Sequence, residues 1–304
     1  MCYDLSFNTS LQSIHDIFPG IIQDDQFQIH PDKSAHIVAH SFGEHPILMR
    51  NREDGLMHLK LMEWGCIPFY TKDEAAFMKQ RIMMLNARSE RILGDTSSYW
   101  FKIRNRRCLI PVTGIFEHRK VTGITKKVPY FIYQKTNNKT EPSNPNPQTL
   151  SISNTDLSSE TLSIPNSETL SIPNSDLSSQ TQPSPFFLPG LYSVAELPNL
   201  QTGELEKRWT FTLITRAANA LMQQIHNDGE NKWRMPLFLP DDLRNQWLEP
   251  ELSTESLQSI LNYELPAAEL DCWPVYTIRS SKPRPDGLTK TEPFVWEGLP
   301  ALEI

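Results

Sequence analysis

Between residues 136 and 185 the chain lacks the composition needed to build a core, and this confines everything that can fold to the flanks of that stretch. The segment is rich in Ser, Thr, Asn and Pro and has almost no aromatic residue. It carries the octapeptide ETLSIPNS twice in tandem, at 160–167 and 168–175, and D-L-S-S recurs at Asp156 and Asp176. Eight-residue units are too short to bury a face against their neighbours as solenoid repeats do, so the stretch reads as a disordered or loosely extended insertion. The rest of the 304-residue chain, with 38% apolar residues overall and seven Trp, has the material for a substantial core.

Charge is distributed unevenly. The net charge is −7, of which the insertion carries −4. Residues 79–127 hold twelve Lys and Arg against three acidic residues, a net of +9 in an acidic protein. Interleaved with Tyr99, Trp100 and Phe101, that segment has the ingredients of a groove that tracks phosphates while aromatic rings stack bases; the plain alternative is a solvated charged face. No apolar run approaches the roughly 20 residues of a membrane span, and the N-terminus lacks a basic-then-apolar leader, so an intracellular, cytoplasmic protein with no membrane partner is expected. Cys2, Cys66, Cys108 and Cys272 include no C-x-x-C, which suggests neither a disulfide framework nor a zinc knuckle. His30, His36, His40 and His45 cluster, but no carboxylate repeats at ligand spacing, and scattered surface and core histidines are the better reading. No phosphate-cradling glycine loop appears, so neither a metal nor a nucleotide cofactor is expected.

Periodicity and breakers predict strands at 35–42, 47–49, 107–115, 130–134 and 209–215, and helices at 73–84, 217–225 and 241–248. Strands and helices do not alternate regularly, which favours an α+β fold over a doubly wound sheet.

Cys2 directly follows the initiator. If Met1 is removed, Cys2 presents an α-amine and a thiol on adjacent carbons. An α-amine titrates at about 7.7–8.0, against about 10.4 for lysine, so part of it is nucleophilic near neutrality. The thiol is a second nucleophile within reach of the same electrophile. Such a 1,2-aminothiol closes a thiazolidine on an aldehyde or attacks an acyl carbon. Three further segments stand out: Asn86-Ala87-Arg88-Ser89-Glu90; Arg106-Arg107-Cys108-Leu109-Ile110-Pro111 leading into Gly114-Ile115-Phe116-Glu117; and Ile225-His226 followed by Arg234-Met235-Pro236. Each alone has an ordinary reading: Asn86 as a helix C-terminal residue, Glu117 as a surface carboxylate after a strand, His226 as a helix-end histidine.

Taken together with Cys2 and in this order, with Trp64-Gly65 and Ile67-Pro68 between them, these motifs resemble the SRAP family, the SOS-response-associated peptidase-like proteins that shield abasic sites in single-stranded DNA. The resemblance covers the chain apart from the insertion. It implies one domain over 2–304, interrupted at about 136–185, with twisted, mostly antiparallel sheets forming a barrel-like core and flanking helices. It also implies a monomer that crosslinks to the C1′ aldehyde of an abasic deoxyribose through Cys2. Glu117 is then the general acid/base that opens the sugar. His226 holds the opened sugar or moves protons, and Asn86 fixes the Cys2 terminus or the sugar without competing for protons. Arg88, with Arg91 and Arg107, is expected to hold phosphates, and Trp64 to stack beside the lesion or to lie in the core.

Two departures matter. The family commonly opens M-C-G-R with an arginine that grips DNA, whereas this chain has Tyr3 and Asp4, so Arg50 or Arg52 is expected to substitute or the DNA path to differ. G-F-Y-E-W appears as Gly114-Ile115-Phe116-Glu117-His118. Two rival readings remain from the residues: an N-terminal-nucleophile thiol peptidase using the amine of Cys2 as its base, and a non-covalent single-strand binder.

Overall fold

Five strands close on themselves: β4 (Glu44–Arg50), β5 (Met57–Trp64), β7 (Arg107–Val112), β10 (Phe186–Pro198) and β11 (Leu205–Ala217). In this computed structural model, which describes residues 2–24, 27, 35–135, 184–199, 201–280 and 284–303, they run in the order β11-β10-β7-β4-β5. A parallel pairing of β5 with β11, Glu63 opposite Thr210 and Trp64 opposite Phe211, completes the ring. The other contacts around the ring are antiparallel. The core is thus a mixed five-stranded barrel in an α+β protein, as the sequence led one to expect. Residues 136–183, which hold nearly all of the expected insertion, lie outside the described residues.

A strand of this barrel is buried on both faces, and period-two alternation sorts its side chains. Cys108, Ile110 and Val112 of β7 enter one cluster with Ile47, Met49, Met62, Trp64, Leu188, Phe211 and Leu213. Leu109 enters a second with Leu48, Leu59, Phe187, Leu191 and Ile214. Helices α6 (Asp241–Trp247) and α7 (Thr254–Asn262) close the second cluster through Trp247, Leu257, Ile260 and Leu261. A five-stranded sheet closes the first. Its order is β13-β9-β8-β1-β3, built from β1 (Asp4–Ser6), β3 (Ile37–Val38), β8 (Gly114–Arg119), β9 (Val128–Gln134) and β13 (Leu270–Pro274).

Two smaller pieces complete the frame of the site. Strand β6 (Asn86–Arg88) lies parallel to β11, and β12 (Arg234–Pro236) antiparallel to it. Helix α2 (Glu74–Arg81) is capped by Asp73, which accepts from Ala76 N–H, and α5 (Ala220–Ile225) by Asn219, which accepts from Met222 N–H.

Several expected boundaries shift. The strand expected at 35–42 is only Ile37–Val38, followed by a 3₁₀ turn at Ala39–Ser41. The strand expected at 107–115 breaks at Thr113, where the chain leaves β7 for β8; Thr113 N–H donates to the Ser6 carbonyl at 2.8 Å. Strand β10 lies where no strand was expected, and it contains Pro189 and Gly190, residues that ordinarily interrupt strands. In the barrel Gly190 is required, since a Cβ there would lie 2.6 Å from the Thr212 carbonyl oxygen across the hairpin.

Candidate active site

Strand β1 pairs antiparallel with β8, Leu5 opposite Ile115 and Ser6 opposite Gly114. Moving back from Leu5 toward Cys2 therefore runs forward along β8 toward Glu117. The start of β8 must be glycine: a Cβ on Gly114 would lie 2.1 Å from the ring of Phe131 on β9. On β8, Glu117 shares the face of Ile115, the face turned toward the cluster that also holds Cys2. Its carboxyl is consequently a core group, 5% exposed, rather than the surface carboxylate of the ordinary reading.

Burial pushes the Glu117 carboxyl up to about 8, with the carboxylate of Asp4 adding to the shift. Near neutrality it carries a proton. The Cys2 thiol, fully buried, is raised well above its usual range, first by burial and then by the Glu117 charge; it donates weakly to the Asp4 carbonyl at 3.7 Å.

Asn86 begins β6 instead of ending a helix. Its Nδ2 donates to the Cys2 carbonyl at 3.0 Å. Among the described residues, Asn86 Oδ1 and Glu117 Oε1 are buried acceptors with no hydrogen-bond partner. An unmet buried acceptor costs about 1–3 kcal/mol, so two in one site mark places where an incoming donor is favoured.

His226 is the C-terminal cap of α5. Its Nδ1 lies 2.8 Å from the Arg234 carbonyl, which can only accept, so Nδ1 carries the proton. That leaves Nε2 toward Glu117, at 3.9 Å from Oε2. Burial lowers the ring to about 4. With the imidazole neutral and the carboxyl protonated, this contact is between two neutral groups beyond direct hydrogen-bond distance, not an ion pair. Arg234, which positions the ring, is itself clamped on Glu90 through Nη1 at 2.5 Å and Nη2 at 3.0 Å. The two flanking motifs thus brace each other.

Asp4 lies next to this group in the opposite state. Burial alone would raise its carboxyl, but hydrogen bonds from His36 at 2.8 Å and from Arg279 at 2.6 and 3.2 Å outweigh it and hold the group below its usual range. The negative charge that the sequence suggested would repel DNA is therefore covered by the Arg279 guanidinium and a histidine donor. Tyr3, Asp4, Glu117, His118, Lys127, His226 and Arg279 line a cleft of about 390 Å³, with the loop 228–231 forming its other wall.

The family model for SOS response associated peptidase (SRAP) matches residues 1–279. The chain belongs to the SRAP family. It is 26% identical over 201 residues to the abasic site processing protein YoqW of Bacillus subtilis, an alignment that takes in 66% of this chain and 62% of that protein. It is 36% identical over 78 residues to the abasic site processing protein YMR114C of Saccharomyces cerevisiae, 25% of this chain and 20% of that one. The fold matches a crystal structure of a protein from Bacteroides thetaiotaomicron, with a TM-score of 0.65, 24% identity and coverage of 96% and 97% of the two chains.

Cys2, Asn86, Glu117 and His226, expected as the chemical group of this SRAP chain, come together. The residues expected on DNA divide. Arg88 is exposed, and its Nη2 donates at 3.1 Å to Asn231 Oδ1 on the cleft wall. Arg91 is exposed but paired with Asp95 at 2.8 Å, with no contact to the cleft. Arg107 is corrected: it is buried, and its guanidinium is spent on the Trp247, Glu249 and Pro250 carbonyls, so it holds two segments together and cannot reach a phosphate. Trp64 is corrected as a stacking platform: it is 1% exposed, donates to the Leu85 carbonyl at 2.8 Å and stacks on Phe211. An exposed tryptophan does stand near the cleft, Trp233, two residues beyond Asn231 and held in left-handed backbone at φ 61.

Arg50, expected to replace the missing arginine, donates to the Leu248 and Gly55 carbonyls. Arg279, from a part of the chain that no motif marked, pairs with Asp4 and lines the cleft. Nor does the +9 segment make one groove: Arg81 is buried on Glu63 and Glu74, Arg119 donates to the Pro300 and Ala301 carbonyls, and Lys127 pairs with Asp228 at 2.8 Å. Among the described residues no helix is long and apolar enough to cross a membrane.

Proposed function

We propose that this protein captures abasic sites in single-stranded DNA as a covalent adduct, a thiazolidine on Cys2. The observation that carries the reading is that Glu117 and His226 line one cleft, with the acid protonated near neutrality, while Cys2 lies buried within reach of the Glu117 charge and is held by Asn86. In the closed sugar, Glu117 donates its proton to the ring oxygen while the anomeric hydroxyl gives its proton to Nε2 of His226, and the aldehyde appears. The Cys2 amine adds to that carbon and water leaves, giving an imine. The thiol then adds across the C=N bond; sulfur bonds to carbon and its proton ends on nitrogen. Because burial keeps the thiol protonated, it needs a base at this step, and Glu117 is a carboxylate once it has given its proton to the sugar. Ring closure removes the iminium that would promote β-elimination of the 3′ phosphate, so the strand is shielded and not cut.

Asn86 holds the Cys2 backbone and offers Oδ1 to the amine or to a sugar hydroxyl. Arg88 and Arg279 face the phosphates, and Trp233 supplies an exposed ring beside the cleft. A thiol peptidase would need the sulfur as a thiolate, which its burial disfavours. The one-domain reading of 2–304 with an insertion belongs to the same proposal, as does the monomeric state.

Incubation with single-stranded DNA bearing one abasic site should give a heat-stable adduct on a denaturing gel, and Cys2→Ala should abolish it. Intact mass should show loss of Met1. Cleavage of a peptide amide without an adduct would give the site to the peptidase reading, and salt-sensitive binding without an adduct to the non-covalent one.

A further inference from the structure

Arg279 lines two clefts. Besides the one that holds Glu117, it borders a second of about 460 Å³, with His36, Val38, His40, Ile278, Ser280 and Lys290. The two adjoin through three contacts: Arg279 itself, the Asp4–His36 hydrogen bond, and the ring of Tyr3 against that of His40 at 4.7 Å. Among the described residues, no carboxylate lines the second cleft.

Its cations are held in place by one another. A carboxylate only accepts, so His36 Nε2 donates to Asp4 and Nδ1 is left to accept from Lys290 Nζ at 3.3 Å. Lys290 is also tied to the Ile278 carbonyl at 2.8 Å. Arg279 closes the network from the other side of Asp4, with half of its side chain still exposed, 52%. Asp4 anchors Arg279 directly and Lys290 through His36, which leaves both cations on one concave surface adjoining the Glu117 cleft.

We infer that this second cleft is a phosphodiester subsite: Arg279 and Lys290, flanked by His36 and His40, bind the backbone of the nucleotide next to the reacting sugar. Here an aspartate at position 4 serves the grip on DNA indirectly, by anchoring an arginine from the far end of the chain. The inference rests on the proposed reading of the Glu117 cleft, and its ligand is the single strand continuing from the abasic residue.

The test uses fluorescence anisotropy of the full chain on labelled single-stranded DNA carrying a tetrahydrofuran residue, which has no aldehyde and cannot crosslink, over a series of NaCl concentrations. Each phosphate contact in a single strand contributes about 0.7 to the slope of log K against log[salt]. Arg279→Gln and Lys290→Gln should each weaken binding and reduce the slope by about 0.7, and Lys290→Arg should restore both. Unchanged slopes in both Gln variants would overturn the subsite, as would a loss of affinity in Lys290→Gln that Lys290→Arg does not recover. The wild-type adduct assay on abasic DNA is read separately. An adduct with unchanged slopes removes the subsite alone, and reduced slopes with no wild-type adduct remove the crosslinking reading alone.

Discussion

Asp4 and Glu117 are buried carboxyls on neighbouring strands of one sheet, and they hold opposite charge states. Asp4 accepts from His36 and from both ends of a guanidinium fork, which hold its carboxyl below the usual range against the effect of burial. Glu117 faces a neutral imidazole at 3.9 Å, keeps one oxygen unpaired among the described residues, and holds its proton to about 8. Burial is common to both; the difference is the number of donors. The contrast shows how two neighbouring strands inside one sheet supply a fixed charge for organising cations and, beside it, an acid able to give up a proton, with each carboxyl's role set by its partners. Asp4 also contributes to the upward shift of Glu117, so the two states are linked.

The strongest way to break the comparison is to remove the proton and keep the shape. Glu117→Gln is neutral like the protonated acid but cannot donate a proton to the ring oxygen, and the adduct rate should fall by about 10²- to 10⁴-fold with little change in DNA affinity. Single-turnover gel kinetics measure this, and a rate within a few fold of wild type would take the acid role from Glu117.

Asp4→Asn tests the linkage. It leaves His36 and Arg279 without their carboxylate, and because Arg279 is half in water the loss of stability should be about 1–3 kcal/mol, below the usual value for a fully buried pair. Denaturant melts measure that. The same variant should move the pH at which Glu117 titrates downward, since a negative neighbour is gone. An unmoved pH profile for crosslinking would mean that the two carboxyls are independent.

A subtler effect is on stability against pH. The folded-state value for Glu117, about 8, lies above the ordinary 4.5, so between those values the folded state holds a proton that the unfolded chain has lost. This contribution is present below 4.5 and is lost as pH rises through 8, with a slope of at most about 1.4 kcal/mol per pH unit. Urea melts from pH 5 to 8 should therefore show a flatter profile for Glu117→Gln than for wild type. Parallel profiles would place the carboxyl's value near its ordinary one.

Most of the proposed chemical group was legible in the residues because the proposed chemistry demands particular types. Only a 1,2-aminothiol closes a thiazolidine, which singled out Cys2, and the motifs around Asn86, Glu117 and His226 singled out their neighbours. The reading of cations was weaker. An arginine in a sequence announces a charge but not where its guanidinium goes, and Arg107 and Arg81 go inward to carbonyls and carboxylates. Trp64 was ambiguous for the same reason: stacking platform and core residue use the same side chain, and only its neighbours on β5 and β11 decide between them.

By itself the sequence determined which side chains are available for reaction, that the fold mixes helices with sheets, and that a cysteine stands at position 2. Those are properties of covalent structure and of local patterning. The protonation state of Glu117, the cover on Asp4 and the arrival of Arg279 were decided only by tertiary structure. Desolvation and hydrogen-bond partners are set by what packs around a group, and here the partners of residue 4 come from residues 36 and 279, far apart along the chain.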